Sequence, residues 1–227
     1  MCIILRTDVR LSTLRSLLLV LLAGNTATAR AGKPNVILVI TDDQGYGDVG
    51  AHGNSMIKTP HLDKLHSVSV RLTDFHVDPT CSPTRSALMT GRYSTRTGVW
   101  HTIMGRSMIR ANEVTIGKIL GDGGYHTGMF GKWHLGTSPT EQGFDVEVDH
   151  TKLTGFRGHF GPNGQYLADV LTDRTIKFIE GSQGKSWCAY LSHFAVHTPI
   201  QAKREIVGKY ESKRPGKLHR DAKMAAM

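Results

Sequence analysis

After residue 34 the chain alternates between short apolar runs and amphipathic stretches. The continuous β-branched run over 35–40 is typical of a strand buried on both faces. Runs at 126–130 and 187–194 predict two more strands, and the alternation over 68–75 predicts another. Helical spacing and turn residues predict helices at 60–65, 83–89, 115–120 and 166–179.

Strands that alternate with helices predict an α/β fold with a mixed, mostly parallel sheet flanked by helices. Sheets of this kind carry their sites in loops at the carboxyl ends of the strands. The helix at 166–179 has the clearest apolar face, formed by Leu167, Val170, Leu171, Ile176 and Ile179. The basic stretch over 203–223 shows no core face.

Residues 1–31 have the pattern of a secretory signal peptide. Three arginines precede an apolar run at 17–23, and small residues such as Ala27 and Ala29 follow it. The run is shorter than the roughly 20 residues that span a bilayer. We therefore expect residues 1–31 to be removed and residues 32–227 to be exported without a membrane anchor. The destination would be a periplasmic, extracellular or lysosome-like compartment.

Composition narrows the possible partners. The 227 residues include 28 Lys plus Arg against 19 Asp plus Glu, for a formal charge of +9. This excess favours an anionic partner, although it also serves solubility. The chain has no zinc finger, basic zipper or interleaved basic and aromatic run, which argues against nucleic acid. Cys2 would leave with the leader, so Cys81 and Cys188 could form at most one disulfide.

Two adjacent carboxylates, Asp42 and Asp43, follow the first predicted strand directly. They form an oxygen-rich, anionic point at a strand end, which suits Ca²⁺ or Mg²⁺. An ordinary polar turn has the same composition, so the pair alone leaves both interpretations open.

A second motif, Cys81-Ser82-Pro83-Thr84-Arg85, opens a predicted helix. Proline just inside a helix start places Cys81 at the positive helix end, where anions are stabilised. Arg85 lies one turn further on and can face the same anion. These residues fit an activated thiolate, and they also fit an inert cysteine at a helix cap.

The second motif, followed by Thr90-Gly91-Arg92, resembles the signature of the type I, formylglycine-dependent sulfatases, in particular the arylsulfatases. Residues 131–136, Gly-Lys-Trp-His-Leu-Gly, and residues 195–199 are similar to two later segments of that family, in the same order. The resemblance implies an alkaline-phosphatase-like sulfatase fold. Residues 32–227 would then be the N-terminal portion of the catalytic domain.

The resemblance also implies an activity, the hydrolysis of sulfate esters on a sulfated small molecule or polysaccharide. A maturation enzyme would oxidise Cys81 to formylglycine, whose hydrate attacks sulfur. The implied metal ligands, for Ca²⁺ or Mg²⁺, are Asp42, Asp43 and Cys81. The implied nucleophile is Cys81 after its oxidation. Arg85 and Lys132 would compensate the charge of the sulfate and the nucleophile, and His134 and His197 would transfer protons.

Two alternatives remain at this point. The family completes its metal site with a later Asp-Asn pair and a further lysine, and nothing after Pro199 supplies them. The chain is therefore expected to be truncated, and an inactive remnant that binds sulfated glycans is one alternative. The other is a phosphonate or phosphate monoesterase of the same superfamily.

Overall fold

The computed structural model describes residues 2–5, 32–103, 105–213 and 221–227. Within these ranges the strands are β1 (Cys2–Leu5), β2 (Val36–Ile40), β3 (His126–Gly131), β4 (Val146–Asp149) and β5 (Trp187–Ser192). They form one sheet in the order β1-β2-β5-β3-β4. All neighbours are parallel except β1, which pairs antiparallel with β2 at one edge. The predicted, mostly parallel sheet is confirmed. The β1 strand falls within the predicted leader, the rest of which lies outside the described residues.

The four predicted helices form at the predicted places, and within the described residues two more follow β5. The helices are α1 (Pro60–Val68), α2 (Cys81–Thr90), α3 (Ile116–Asp122), α4 (Leu167–Gly181), α5 (Arg204–Glu211) and α6 (Ala222–Ala226). In the part of the chain that the structure describes, no helix has the length and apolar character needed to cross a bilayer.

Both faces of the sheet are buried, as the continuous apolar runs predict. Side chains alternate between the faces along each strand. On one face Leu38 and Tyr190 pack with Met89 of α2, whereas on the other Phe130 and Leu191 pack with α4. The sheet is therefore a central layer between helices.

The predicted apolar face of α4 is partly wrong. Its buried residues are Leu167, Leu171, Thr175 and Phe178, whereas Ile176 is 46% exposed. A helix turns about 100° per residue, so Ile176 lies about 140° around the axis from Leu171. Phe178 takes the core position instead and packs on Phe130 of β3.

Two further predictions are wrong. Residues 69–75 form no strand, and Val70 is 90% exposed. An alternating pattern forms a strand only where a neighbouring strand offers backbone hydrogen bonds and cross-strand side-chain contacts. No described strand pairs with this segment. The basic stretch over 203–223 does have a core face, because Ile206 and Tyr210 of α5 pack with Met56 and Ile57.

The parallel strands end level with one another. Ile40 and Gly131 each pair with Ser192 on opposite sides of β5, and Gly131 pairs with Asp149. Two hydrogen bonds continue this register beyond the strands, from Lys132 N to Ser192 O (2.8 Å) and from His193 N to Ile40 O (2.9 Å). The loops that follow β2, β3 and β5 therefore begin side by side.

Gly131 permits this close approach. Its φ is 115°, and a Cβ on it would lie 1.8 Å from the carbonyl oxygen of Ser192. No L-residue fits there unless the backbone of β5 moves, since that oxygen is not the end of a flexible side chain.

We predict that Gly131→Ala lowers the free energy of unfolding by about 3 kcal/mol or more, because it combines positive φ with a backbone clash. Gly164→Ala is the matched control, since Gly164 also has positive φ (76°) but has nothing within 4 Å of the new Cβ. It should cost only about 1 to 2 kcal/mol. Urea unfolding of both variants measures the difference, and equal losses would show that the clash at Gly131 is absent.

Candidate active site

A buried carboxylate with two cations lies at the ends of the strands. Asp42 follows β2 by two residues and is 3% exposed. The ammonium of Lys132, which follows β3 directly, forms an ion pair with Oδ2 of Asp42. Nη2 of Arg85 lies 3.5 Å from Oδ1 of the same carboxylate. Two cations against one carboxylate leave an excess of positive charge, which favours an anionic ligand.

The guanidinium of Arg85 connects α2 to the sheet. Its Nη1 donates to the carbonyl oxygen of Lys132 (2.9 Å), to the hydroxyl of Tyr190 (3.2 Å) and to Ser192. The Ser192 hydroxyl in turn donates to the carbonyl oxygen of Lys132 (2.7 Å). Sequence reasoning missed Tyr190 and Ser192, because both lie inside a strand and only the register brings them to Arg85.

Cys81 is the first residue of α2 and is half-buried. Its Sγ lies 3.3 Å from Nδ1 of His134. Nε2–H of His134 donates to the carbonyl oxygen of Thr102 (3.2 Å), so the neutral ring presents Nδ1 to Cys81 as an acceptor. Burial lowers the pKa of His134, and the charge of Lys132 lowers it further. His134 is thus held neutral near pH 7 and can accept a proton.

Two residues of the site adopt the left-handed backbone region. Asp43 has φ of 58° and His134 has φ of 57°, values that non-glycine residues rarely take. Such conformations persist only where the surroundings impose them, and they are concentrated at functional sites. At Asp43 the result is an exposed carboxylate beside the buried Asp42.

His197 reaches the site from the loop after β5. Its Nδ1–H donates to the carbonyl oxygen of Thr198 (2.7 Å), and its Nε2 lies 3.7 Å from Oδ2 of Asp43. Two backbone hydrogen bonds between Asp42 and residues 195–196, of 2.9 and 2.6 Å, fasten this loop to the one after β2. Each of the sequence-predicted site residues is therefore in contact with at least one other.

These residues suit a hard divalent cation by type but not by number. Carboxylate oxygens are the preferred ligands of Ca²⁺, which takes about 6 to 8 of them. Both oxygens of Asp42 face cations, which leaves Asp43 as the open donor. In residues 32–103, 105–213 and 221–227, no three His, Cys, Asp or Glu side chains are grouped to hold a metal ion.

A family model for sulfatases matches residues 34–224. The chain belongs to the sulfatase family. It is 33% identical to mouse arylsulfatase J over 216 residues, which cover 82% of this chain and 36% of the relative. It is 45% identical to human arylsulfatase A over 129 residues, which cover 55% of this chain and 25% of that protein. The chain thus matches about a third or less of the length of these curated relatives.

Solved structures give the same fold. The protein BT4656, determined in complex with its substrate D-glucosamine-2-N,6-O-disulfate, superposes with a TM-score of 0.70 at 26% identity. The match covers 81% of this chain and 39% of that one. The sulfatase resemblance and the alkaline-phosphatase-like fold that it implied are confirmed. Sulfatases generally use a formylglycine and a divalent metal.

We predict that Cys81 and Cys188 differ sharply in reactivity in residues 32–227, which lack Cys2, when position 81 is unmodified. Burial raises the pKa of the Cys188 thiol to about 12, so at pH 8 only about one molecule in 10⁴ carries the thiolate. Cys81 is half-buried at a helix start and should react. Iodoacetamide labelling of the native protein, followed by peptide mass spectrometry, should modify Cys81 alone. Both should label in urea, and rapid native labelling of Cys188 would contradict its burial.

Proposed function

We propose that this chain forms the nucleophile side of a sulfuric ester hydrolase site, with formylglycine at position 81 and Ca²⁺ or Mg²⁺ as the metal. One observation carries the proposal. The Cys81 side chain lies 3.3 Å from an acceptor nitrogen of His134 whose other ring nitrogen is already fixed by Thr102. A nucleophile paired with an oriented base is the arrangement that covalent catalysis requires.

Formylglycine, when hydrated, supplies two hydroxyls on one carbon, one to attack sulfur and one whose deprotonation releases the sulfate. His134 would accept the proton of the second hydroxyl at Nδ1. Its lowered pKa suits this role, since a base that is already protonated at pH 7 could not act. A polar hydrate fits position 81, because the side chain there lies against an imidazole nitrogen that can accept a hydrogen bond.

The two buried cations would compensate the negative charge of the sulfate group. Arg85 is 1% exposed and Lys132 is 4% exposed, so solvent screens their charges weakly. Their positions are set before substrate arrives by Asp42, Tyr190 and Ser192. Preorganised charge of this kind is usually the largest contribution to catalysis.

His197 would assist the departing alcohol oxygen. Its Nδ1–H is committed to the carbonyl oxygen of Thr198, so Nε2 is the nitrogen available to exchange a proton. That nitrogen points towards Asp43 at the open side of the site. Proton donation to a leaving oxygen is a role for which an imidazole is suited near neutral pH.

Asp43 would bind the metal through its open carboxylate, and Asp42 through the lone pairs that Arg85 and Lys132 leave unused, beside the oxygens of residue 81. A bound divalent cation would polarise the sulfate and lower the pKa of the nucleophile. Its other ligands would be water, the sulfate itself or polypeptide outside the described residues.

The substrate would be a sulfated small molecule or a sulfated polysaccharide. Residues 32–227 would attract it, because they hold 24 Lys plus Arg against 18 Asp plus Glu, a formal charge of +6. The second partner would be a formylglycine-generating enzyme, met during export through the predicted leader. The relatives reported above bear sulfatase names, which favours sulfate over phosphonate or phosphate esters.

We predict that co-expression with a formylglycine-generating enzyme replaces the sulfur of Cys81 by oxygen, as read from the mass of its tryptic peptide. The matured protein should hydrolyse an aryl sulfate in the presence of Ca²⁺ and prefer it to the matched aryl phosphonate. Cys81→Ala should abolish turnover, because it removes the nucleophile.

Cys188→Ala is the matched control, since Cys188 is a buried thiol of β5 and should leave maturation and turnover intact. A Cys81 that stays alkylatable after co-expression would refute the formylglycine mechanism. Preference for the phosphonate would move the chain to the other esterase class.

A further inference from the structure

We propose that Phe194 is a positioning residue of this site, whose ring holds the ammonium of Lys132 and the imidazole of His197 in place. The inference rests on the proposed function for the roles of those two groups. The contacts themselves do not depend on it.

One ring touches both groups. Phe194 lies two residues beyond the end of β5, half-buried against the core. The Nζ of Lys132 lies over its ring, 5.2 Å from the centroid. The ring of His197 lies on it with centroids 4.8 Å apart and planes tilted by 33°. Phe194 therefore joins the cation that follows β3 to the histidine that follows β5.

Two further histidines contact the ring of Phe194. His150 stacks on it with centroids 4.9 Å apart, and His159 contacts it at 5.0 Å. His159 is fully buried, and its Nε2–H donates to the carbonyl oxygen of His197 (2.8 Å). Phe194 and His159 thus fix the ring and the backbone of His197 together.

The physical need is clearest at Lys132. A lysine carries its charge on a flexible four-carbon stem, so a single ion pair with Asp42 leaves the ammonium free to pivot. An aromatic face within about 6 Å attracts an ammonium electrostatically, most strongly where water is excluded. An aliphatic side chain of similar size would fill the space without this attraction.

The test compares three variants of the full chain, matured at position 81. Phe194→Leu keeps an apolar side chain and removes the ring, whereas Phe194→Tyr keeps the ring. Phe178→Leu is the control for a lost core ring, because Phe178 is 8% exposed and its ring contacts are with His126 and Phe130.

The first measurement does not need activity. An ammonium over a ring face places the neighbouring ε-methylene protons of Lys132 in the ring current, so their NMR signals should lie upfield in the unsubstituted protein and in Phe194→Tyr. They should return towards ordinary lysine values in Phe194→Leu and stay upfield in Phe178→Leu.

The second measurement is kinetic. Phe194→Leu should lower kcat by about two- to thirtyfold, the range that a lost cation–π contact allows. KM should change less, because misdirected groups act mainly in the transition state. Phe194→Tyr should restore kcat, and Phe178→Leu should leave it nearly unchanged.

The positioning role would be overturned if the Lys132 signals of the unsubstituted protein lay at ordinary lysine values. It would also be overturned if Phe178→Leu lost as much kcat as Phe194→Leu. A matured protein without turnover would refute the proposed function instead. In that case the NMR signals alone decide whether Phe194 holds Lys132.

Discussion

The carboxylate of Asp42 is the constraint on which the rest of the site depends. It is almost fully buried and lies against two cations, Lys132 and Arg85, that are also buried. A buried charge without a partner costs several kcal/mol, so neither cation could stay at the strand ends without it. The same carboxylate, with Asp43 beside it, is the proposed metal ligand. The Asp42 carboxylate would therefore both stabilise the fold and bind the metal.

The register of the sheet places the Asp42 carboxylate beside Lys132. Ile40, Ser192 and Gly131 end level across β2, β5 and β3, so the next residues of each chain segment begin in one row. The close approach at Gly131 lets Lys132 follow β3 directly against β5. Arg85 enters from α2, the helix that also begins with Cys81. The proposed nucleophile and Arg85 thus lie on one helix, and Lys132 and Asp42 meet Arg85 from the ends of β3 and β2.

The local parts of this arrangement could be predicted from the sequence. The apolar runs predicted the buried strands, and the short motifs predicted that Cys81 and Asp42 belong to a site. Each of these patterns is contained within a few consecutive residues. The partners that depend on register could not be predicted. Ser192 and Phe194 read as ordinary core or loop residues until β5 brings them beside Lys132. The strand predicted from the alternation over 68–75 was wrong, because a local pattern cannot show whether a partner strand is present.

A double-mutant cycle on Asp42 and Lys132, measured by urea unfolding, tests the central claim most directly. If the buried carboxylate organises the site, Asp42→Asn should lower the free energy of unfolding by about 3 kcal/mol or more, since it leaves the charges of Lys132 and Arg85 buried without their partner. Lys132→Met should cost less, because Arg85 still pairs with Asp42. The double variant should lose less than the sum of the two, because with Lys132 gone Asp42→Asn strands only the charge of Arg85. Small and additive losses would contradict the account and would mean that the two side chains do not depend on each other.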